Sequence, residues 1–220
     1  MQGTLTGKTR WTIAILAVVA ALTAALVAQL RDTPAPTATT ATPATPAARE
    51  HRDADTPAAL ADPRERANLP PCPAATSDRA GPAALRRVTV ECAADGSPVD
   101  VARALAGHRV ILNLWAYWCA PCAAELPAMA DYQRRVGPDV MVVTVHQDEN
   151  ETAALLRLAE LGVRLPTLQD GRRRVAAALG VVNVMPATVV LRPDGSVAQT
   201  LPRPFSSADE IAAAVGNDAG

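Results

Sequence analysis

Aromatic residues are scarce in this chain: three Trp, two Tyr and one Phe among 220 residues. Histidine occurs three times and cysteine four times, and Lys8 is the single lysine. The shortages exclude several functions. Cys72 and Cys92 are not spaced as a second knuckle to Cys119 and Cys122, and with so few histidines no structural zinc or other metal site is expected. A formal net charge of −1 provides no field to steer a polyanion. The one basic run, Arg172-Arg173-Arg174, is too short for nucleic acid and reads as a solvated helix start. The excess of arginine over lysine, together with abundant alanine, reflects GC-rich coding rather than a function. His146, beside Gln147-Asp148 at the end of an apolar run, has no obvious partner and reads as a strand-end surface residue.

Charge is missing from Trp11 to Leu30, twenty residues that at about 1.5 Å each can cross a hydrocarbon core of about 30 Å. Lys8 and Arg10 precede this run and Arg31 follows, so the positive-inside bias leaves residues 1–10 in the cytoplasm and exports the rest. Residues 11–30 are expected to be a single-pass signal anchor. A cleavable signal peptide is the competing reading, but no clean A-x-A site follows the run. From Thr33 to Ala48 only Thr, Pro and Ala occur, a composition that cannot bury enough apolar surface to fold. Residues 31–70 are therefore expected to be a flexible linker, a passive tether for an extracytoplasmic domain at 71–220.

The few aromatics are not spread evenly. Trp115, Tyr117 and Trp118 crowd into four positions just before Cys119-Ala120-Pro121-Cys122. Trp115 reads as strand core, whereas Trp118 suits shielding of a sulfur pair or contact with a partner. The run Arg109–Trp115 is nearly continuous apolar sequence, as in a strand buried on both faces. A helix follows from about Cys119 to Val136, bent or broken near Pro127, with Pro121 in the first turn where its missing N–H costs little. Cys119 then sits at the positive end of the helix dipole, among unpaired N–H groups that favour a thiolate. Cys122 lies on the same face one turn on, placed to resolve a mixed disulfide formed by Cys119.

The rest of the chain is α/β in character. Val140–Val145 reads as a second buried strand and 152–161 as a helix stopped by Gly162. Residues 186–191 and 196–201 read as a hairpin across Asp194-Gly195, and 207–215 as a closing helix with Asp209 and Glu210 in its first turn. The expected architecture is a sandwich with a central mixed sheet flanked by helices.

The segment Asn113-Leu114-Trp115-Ala116-Tyr117-Trp118-Cys119-Ala120-Pro121-Cys122-Ala123-Ala124-Glu125-Leu126-Pro127 resembles the active site of the TlpA/ResA-type thioredoxin-like oxidoreductases. Val184-Met185-Pro186-Ala187-Thr188, with Pro193-Asp194-Gly195 beyond it, resembles the cis-proline loop and hairpin of the same family. The resemblance spans roughly residues 85–215. It implies a thioredoxin-like fold with an N-terminal extension, and a cis bond at Pro186 packed against the sulfur pair. It also implies that the Met185 backbone pairs with an incoming substrate. Asn113 stands where cytosolic thioredoxins carry a buried Asp, so that base is absent. Glu125, three residues after Cys122, is the nearest carboxylate in sequence. It either assists proton transfer or serves only as a helix-dipole residue. Ala120 leaves the motif without the acidic residue that some ResA-like proteins place there.

Cys72 and Cys92, both in the exported part, are expected to form a structural bridge, with a second redox pair as the alternative. The chain thus reads as an extracytoplasmic thiol-disulfide oxidoreductase needing no cofactor beyond the Cys119–Cys122 disulfide. It is expected to act as a monomer, reducing cysteine pairs in exported proteins such as apocytochrome c. Electrons would come from a membrane thiol carrier of the CcdA/DsbD type. A disulfide-forming oxidant is the alternative within the same chemistry, and a copper chaperone using Cys119 and Cys122 as soft ligands is the alternative outside it.

Overall fold

The computed structural model describes residues 55–75 and 81–216, with Ala21 alone from the sequence before them. The expected segments 1–10 and 11–30, Ala21 aside, and most of the linker 31–70 lie outside the described residues. Among the described residues no helix is long and apolar enough to cross a membrane.

In chain order the described elements begin with helix α1 (Pro57–Ala67), a 3-10 turn (Ala83–Leu85), strands β1 (Thr89–Cys92) and β2 (Pro98–Asp100) and the short helix α2 (Val101–Ala104). There follow β3 (Arg109–Trp115), α3 (Ala120–Val136), β4 (Val140–His146), α4 (Glu151–Leu161), β5 (Thr167–Gln169) and α5 (Arg174–Ala178). The hairpin β6 (Ala187–Leu191) and β7 (Val197–Leu201) and helix α6 (Ala208–Val215) complete the order. The strands form one mixed sheet in the order β2-β1-β5-β4-β3-β6-β7. β3 runs parallel to β4 and antiparallel to β6, so the strand that leads to the cysteines is paired along both edges.

Side chains alternate across this sheet, and the alternation divides the core in two. Val110, Leu112 and Leu114 face one side with Val143, Val145, Leu168 and Val189. Cys92 belongs to that side and Cys72 rests against it. Ile111 and Trp115 face the other side, covered by Leu126 and Met129 of α3, Leu158 of α4 and Ile211 and Val215 of α6. Pro127 lies inside α3 without ending it. The β1 and β5 pairing places Cys92 opposite Leu168, and the Cys72–Cys92 disulfide is formed.

Composition misleads at residues 55–70, expected as the last part of a flexible linker. They contain helix α1, which docks on α4. Thr56 Oγ1 accepts the Ala59 N–H at 3.2 Å, Pro57 opens the helix, and Asn68 ends it in the left-handed region at φ 43°. Leu60 and Ala67 pack with Leu155 and Ala93, and buried Asp55 accepts the Glu151 N–H, the Thr152 N–H and the Thr152 hydroxyl. Asp55 thus brings a negative charge to the N-terminus of α4, where the helix dipole favours one. Arg64 binds Glu151 at 2.9 Å and also fills the space beside Gly96, where any side chain would strike its guanidinium. Tertiary docking, not intrinsic propensity, explains this helix.

Replacing Leu60 by Ala is expected to destabilise the chain by about 2–4 kcal/mol in denaturant unfolding, as for other buried leucines. A change near zero would return this segment to the linker.

Candidate active site

Strand β3 ends at Trp115, which is fully buried, and Ala116, Tyr117 and Trp118 lead from it to Cys119, the residue before α3. Cys119 is the cap of that helix: its backbone is extended (φ −81°, ψ 99°) and its Sγ accepts the Cys122 N–H at 3.2 Å. A sulfur therefore occupies the position that Ser, Asp or Asn commonly fills. Reduction leaves this sulfur facing helix N–H groups, which stabilise a thiolate. The two cysteines are joined as a disulfide. Cys119 is 5% exposed and Cys122 fully buried, while Ala120 and Pro121 lie on the exposed rim, so Cys119 is the accessible sulfur.

The flanking groups form two polar systems. Trp118 is 57% exposed and its Nε1–H donates to Asp148 Oδ2 at 2.9 Å, which ties the indole to the loop after β4. Met185 packs against the apolar cluster that holds Cys119 and Cys122, and the Met185–Pro186 bond is cis. Beneath them a polar row crosses the sheet. Thr167, Thr144, Asn113 and Thr188 are in register across β5, β4, β3 and β6, and all are buried. Thr144 and Thr167 share a hydrogen bond of 2.9 Å.

Glu125 completes this row from above. It is fully buried on α3, one turn beyond Cys122 and on the same face. Asn113 Nδ2 donates to its Oε2 at 2.7 Å and the Phe205 N–H to its Oε1 at 3.2 Å. Burial pushes its carboxyl up to about 7, against the two hydrogen bonds, which favour the anion. Asn113 thus replaces the missing Asp indirectly: it orients a carboxylate supplied by the helix. The alternative reading makes Glu125 a helix-dipole residue near the first turn; in the structure the side chain is buried and its two oxygens accept from Asn113 and Phe205.

His146 also departs from expectation. It is fully buried, its ring centroid 4.9 Å from that of Trp115, with Gln169 Oε1 2.8 Å from Nδ1. Burial lowers its pKa to about 4, so the imidazole is neutral near pH 7. Sequence reasoning placed it at the surface because Gln169, its partner, is on a strand of only three residues that carries no pattern.

The two disulfides do not meet. Cys72 and Cys92 belong to one face of the sheet and Cys119 and Cys122 to the other, with strands between. A relay of electrons from Cys72 and Cys92 to Cys119, their alternative role, would have to cross that sheet. Among the described residues no three His, Cys, Asp or Glu side chains gather as a metal site.

The family model described as Redoxin matches residues 71–215. The thiol-disulfide oxidoreductase ResA of Bacillus subtilis strain 168 is 34% identical over 98 residues, covering 44% of this chain and 54% of the relative. ResA of Oceanobacillus iheyensis is 34% identical over 94 residues, covering 42% and 48%. The chain therefore spans about half the length of the curated relatives it matches. Among solved structures, a secreted Mycobacterium tuberculosis disulfide oxidoreductase homologous to E. coli DsbE is similar at a TM-score of 0.52 and 25% identity, covering 60% of this chain and 96% of that one. A DsbF homologue from Corynebacterium diphtheriae is similar at 0.51 and 25%, covering 60% and 82%.

Glu125 generates a signature in stability. A raised carboxyl pKa contributes stability fully below the unfolded value near 4.5, and that contribution is lost as pH rises through about 7. His146 has the opposite sign: its contribution is present above about 6.5 and lost as pH falls through about 4. The two slopes partly cancel in the parent, so the difference between parent and Glu125→Gln isolates the carboxylate. That variant is expected to gain on the parent by about 3 kcal/mol between about pH 5 and 8 in urea unfolding. Parallel curves would show that Glu125 titrates normally.

Proposed function

The chain belongs to the redoxin family and is of the ResA/TlpA type, and on that premise we propose that it is a thiol-disulfide oxidoreductase that reduces disulfides in exported proteins. The observation that carries this reading is the pairing of a helix-capping Cys119, 5% exposed beneath the rim of Ala120 and Pro121, with a fully buried Cys122 one turn from a buried carboxyl. In the reduced protein the Cys119 thiolate attacks one sulfur of a substrate disulfide. The substrate bond breaks, the leaving thiolate takes a proton from water, and a mixed disulfide joins Cys119 to the substrate. Cys122 then gives its proton to the Glu125 carboxylate and attacks Cys119 Sγ. The second substrate sulfur leaves as a thiolate and takes a proton from water, and Cys119–Cys122 closes, having delivered two electrons. A carboxyl near 7 is half ionised at neutral pH and suits both taking and returning that proton.

Pro186 and the Met185 backbone form the wall against which the substrate strand docks, and exposed Trp118 adds an aromatic contact beside Cys119. Residues 11–30 would anchor the chain by one span with this domain outside the cytoplasm, a placement supported by the uncharged run and its flanking cations. A membrane thiol carrier of the CcdA/DsbD type would return the electrons, and apocytochrome c is one candidate substrate. The domain would act as a monomer without nucleic acid. An oxidant would use the same dithiol in reverse, and a copper chaperone would use it as a ligand pair.

The reduction potential of Cys119–Cys122 decides between the first two. Equilibrated in thiol buffers and read by Trp fluorescence, the full chain is expected near or below about −250 mV; a value near about −120 mV would make it an oxidant. Cys119→Ser is expected to abolish reduction of a test disulfide and Cys122→Ser to accumulate the mixed disulfide. Exchange that survives Cys119→Ser, or stoichiometric Cu(I) binding without exchange, would overturn the assignment.

A further inference from the structure

Ala116, Tyr117 and Trp118 belong to no strand or helix, yet they deliver Cys119 to the end of α3. The loop is held in part from within: the Cys119 N–H donates to the Ala116 carbonyl at 3.0 Å, and the Gln147 N–H donates to the Trp115 carbonyl at 2.9 Å. Its middle is held by His146. The donor pattern of that imidazole follows from its neighbours. Gln169 Nε2 donates to the Asp148 carbonyl at 2.7 Å, which turns Gln169 Oε1 toward the imidazole. A carboxamide oxygen accepts only, so His146 Nδ1 carries the proton. Nε2 is left with a lone pair, and it accepts the Tyr117 N–H at 3.4 Å. Asp148, whose carbonyl sets this order, also holds the Trp118 indole through its carboxylate. A run of fixed donors and acceptors thus leads from β5 through a buried imidazole to the residues on the N-terminal side of Cys119.

We propose that His146 is a positioning residue for the Cys119–Cys122 pair: its Nε2 fixes the Tyr117 amide, and with it the loop that seats Cys119 as the cap of α3. The proposal rests on the thiol chemistry given above and assigns the residue that sets how acidic the attacking thiol is. A phenylalanine would fill the same space against Trp115 and accept no hydrogen bond. Glutamine would place an acceptor near the Nε2 position, within reach of the Tyr117 amide, whereas asparagine would reach only the Gln169 side.

The test is the pH profile of Cys119 alkylation in the reduced protein, with the Cys119–Cys122 equilibrium measured in thiol buffer. His146→Phe and His146→Asn are expected to slow alkylation below neutral pH by about two- to tenfold, the range for loss of one hydrogen bond. They should displace the equilibrium toward the disulfide by the same factor, at most about 30 mV. His146→Gln is expected to stay within about twofold of the parent. If His146→Phe does not fold, the Gln and Asn pair decides. Variants that keep the parental profile and potential, or that rank only by thermal midpoint, would overturn the proposal. Both readouts belong to the sulfur pair alone, so failure to reduce a protein disulfide would count against the proposed function and not against this role.

Discussion

The first turn of an α-helix presents N–H groups that need acceptors, and at α3 the acceptor is sulfur. Much of the surrounding structure serves that one contact. β3 is paired along both edges and buried on both faces, which leaves little freedom in where the chain emerges after Trp115. The helix behind the sulfur is anchored by Leu126 and Met129, which are fully buried under α6. A capping serine would satisfy the backbone equally well. Cysteine does so while keeping a group that is more acidic and more nucleophilic than a hydroxyl, so one residue serves both structure and chemistry.

A second constraint lies under the first. Glu125 sits buried among apolar side chains, and the fold surrounds it with two N–H donors that only partly offset its desolvation. Asn113 lies 12 residues before Glu125 and Phe205 80 residues after it, so the carboxyl environment exists only once β3, α3 and the segment before α6 have assembled. His146 is the counterpart in a different arrangement: it is kept neutral by burial and hydrogen-bonded at both nitrogens. Two titratable groups on the Cys119–Cys122 side of the sheet are thus moved in opposite directions, the acid up and the base down, each toward the uncharged form that burial favours.

Much of the architecture was legible in residue patterns. The continuous apolar run of β3, the CxxC junction, the Gly162 stop of α4 and the Asp194-Gly195 turn of the hairpin each have a local physical cause. The elements that escaped are short or borrowed. β2 and β5 have three residues each, too few for alternation to show. The start of α5 was legible at Arg172-Arg173-Arg174, but not its cap, which is the side chain of Asp170. Helix α1 was hidden by a composition rich in Ala and Pro, although Thr56-Pro57 and Asn68 carry start and stop signals that could have revealed it. At the site, spacing identified both cysteines. Whether Glu125 and His146 faced in or out depended on partners 80 and 23 residues away, which no local pattern encodes.

Four cysteines can pair in three ways. Because the sheet separates Cys72 and Cys92 from Cys119 and Cys122, the two crossed pairings would each require a bond through a layer of paired strands. Once β1, β5, β4 and β3 are aligned, oxidation is therefore confined to a single connectivity, whatever oxidant acts. The Cys119–Cys122 pair can open and close many times without capturing a sulfur of Cys72–Cys92. Under the proposed function, a protein that exchanges disulfides with others is in this way insulated from exchanging them with itself.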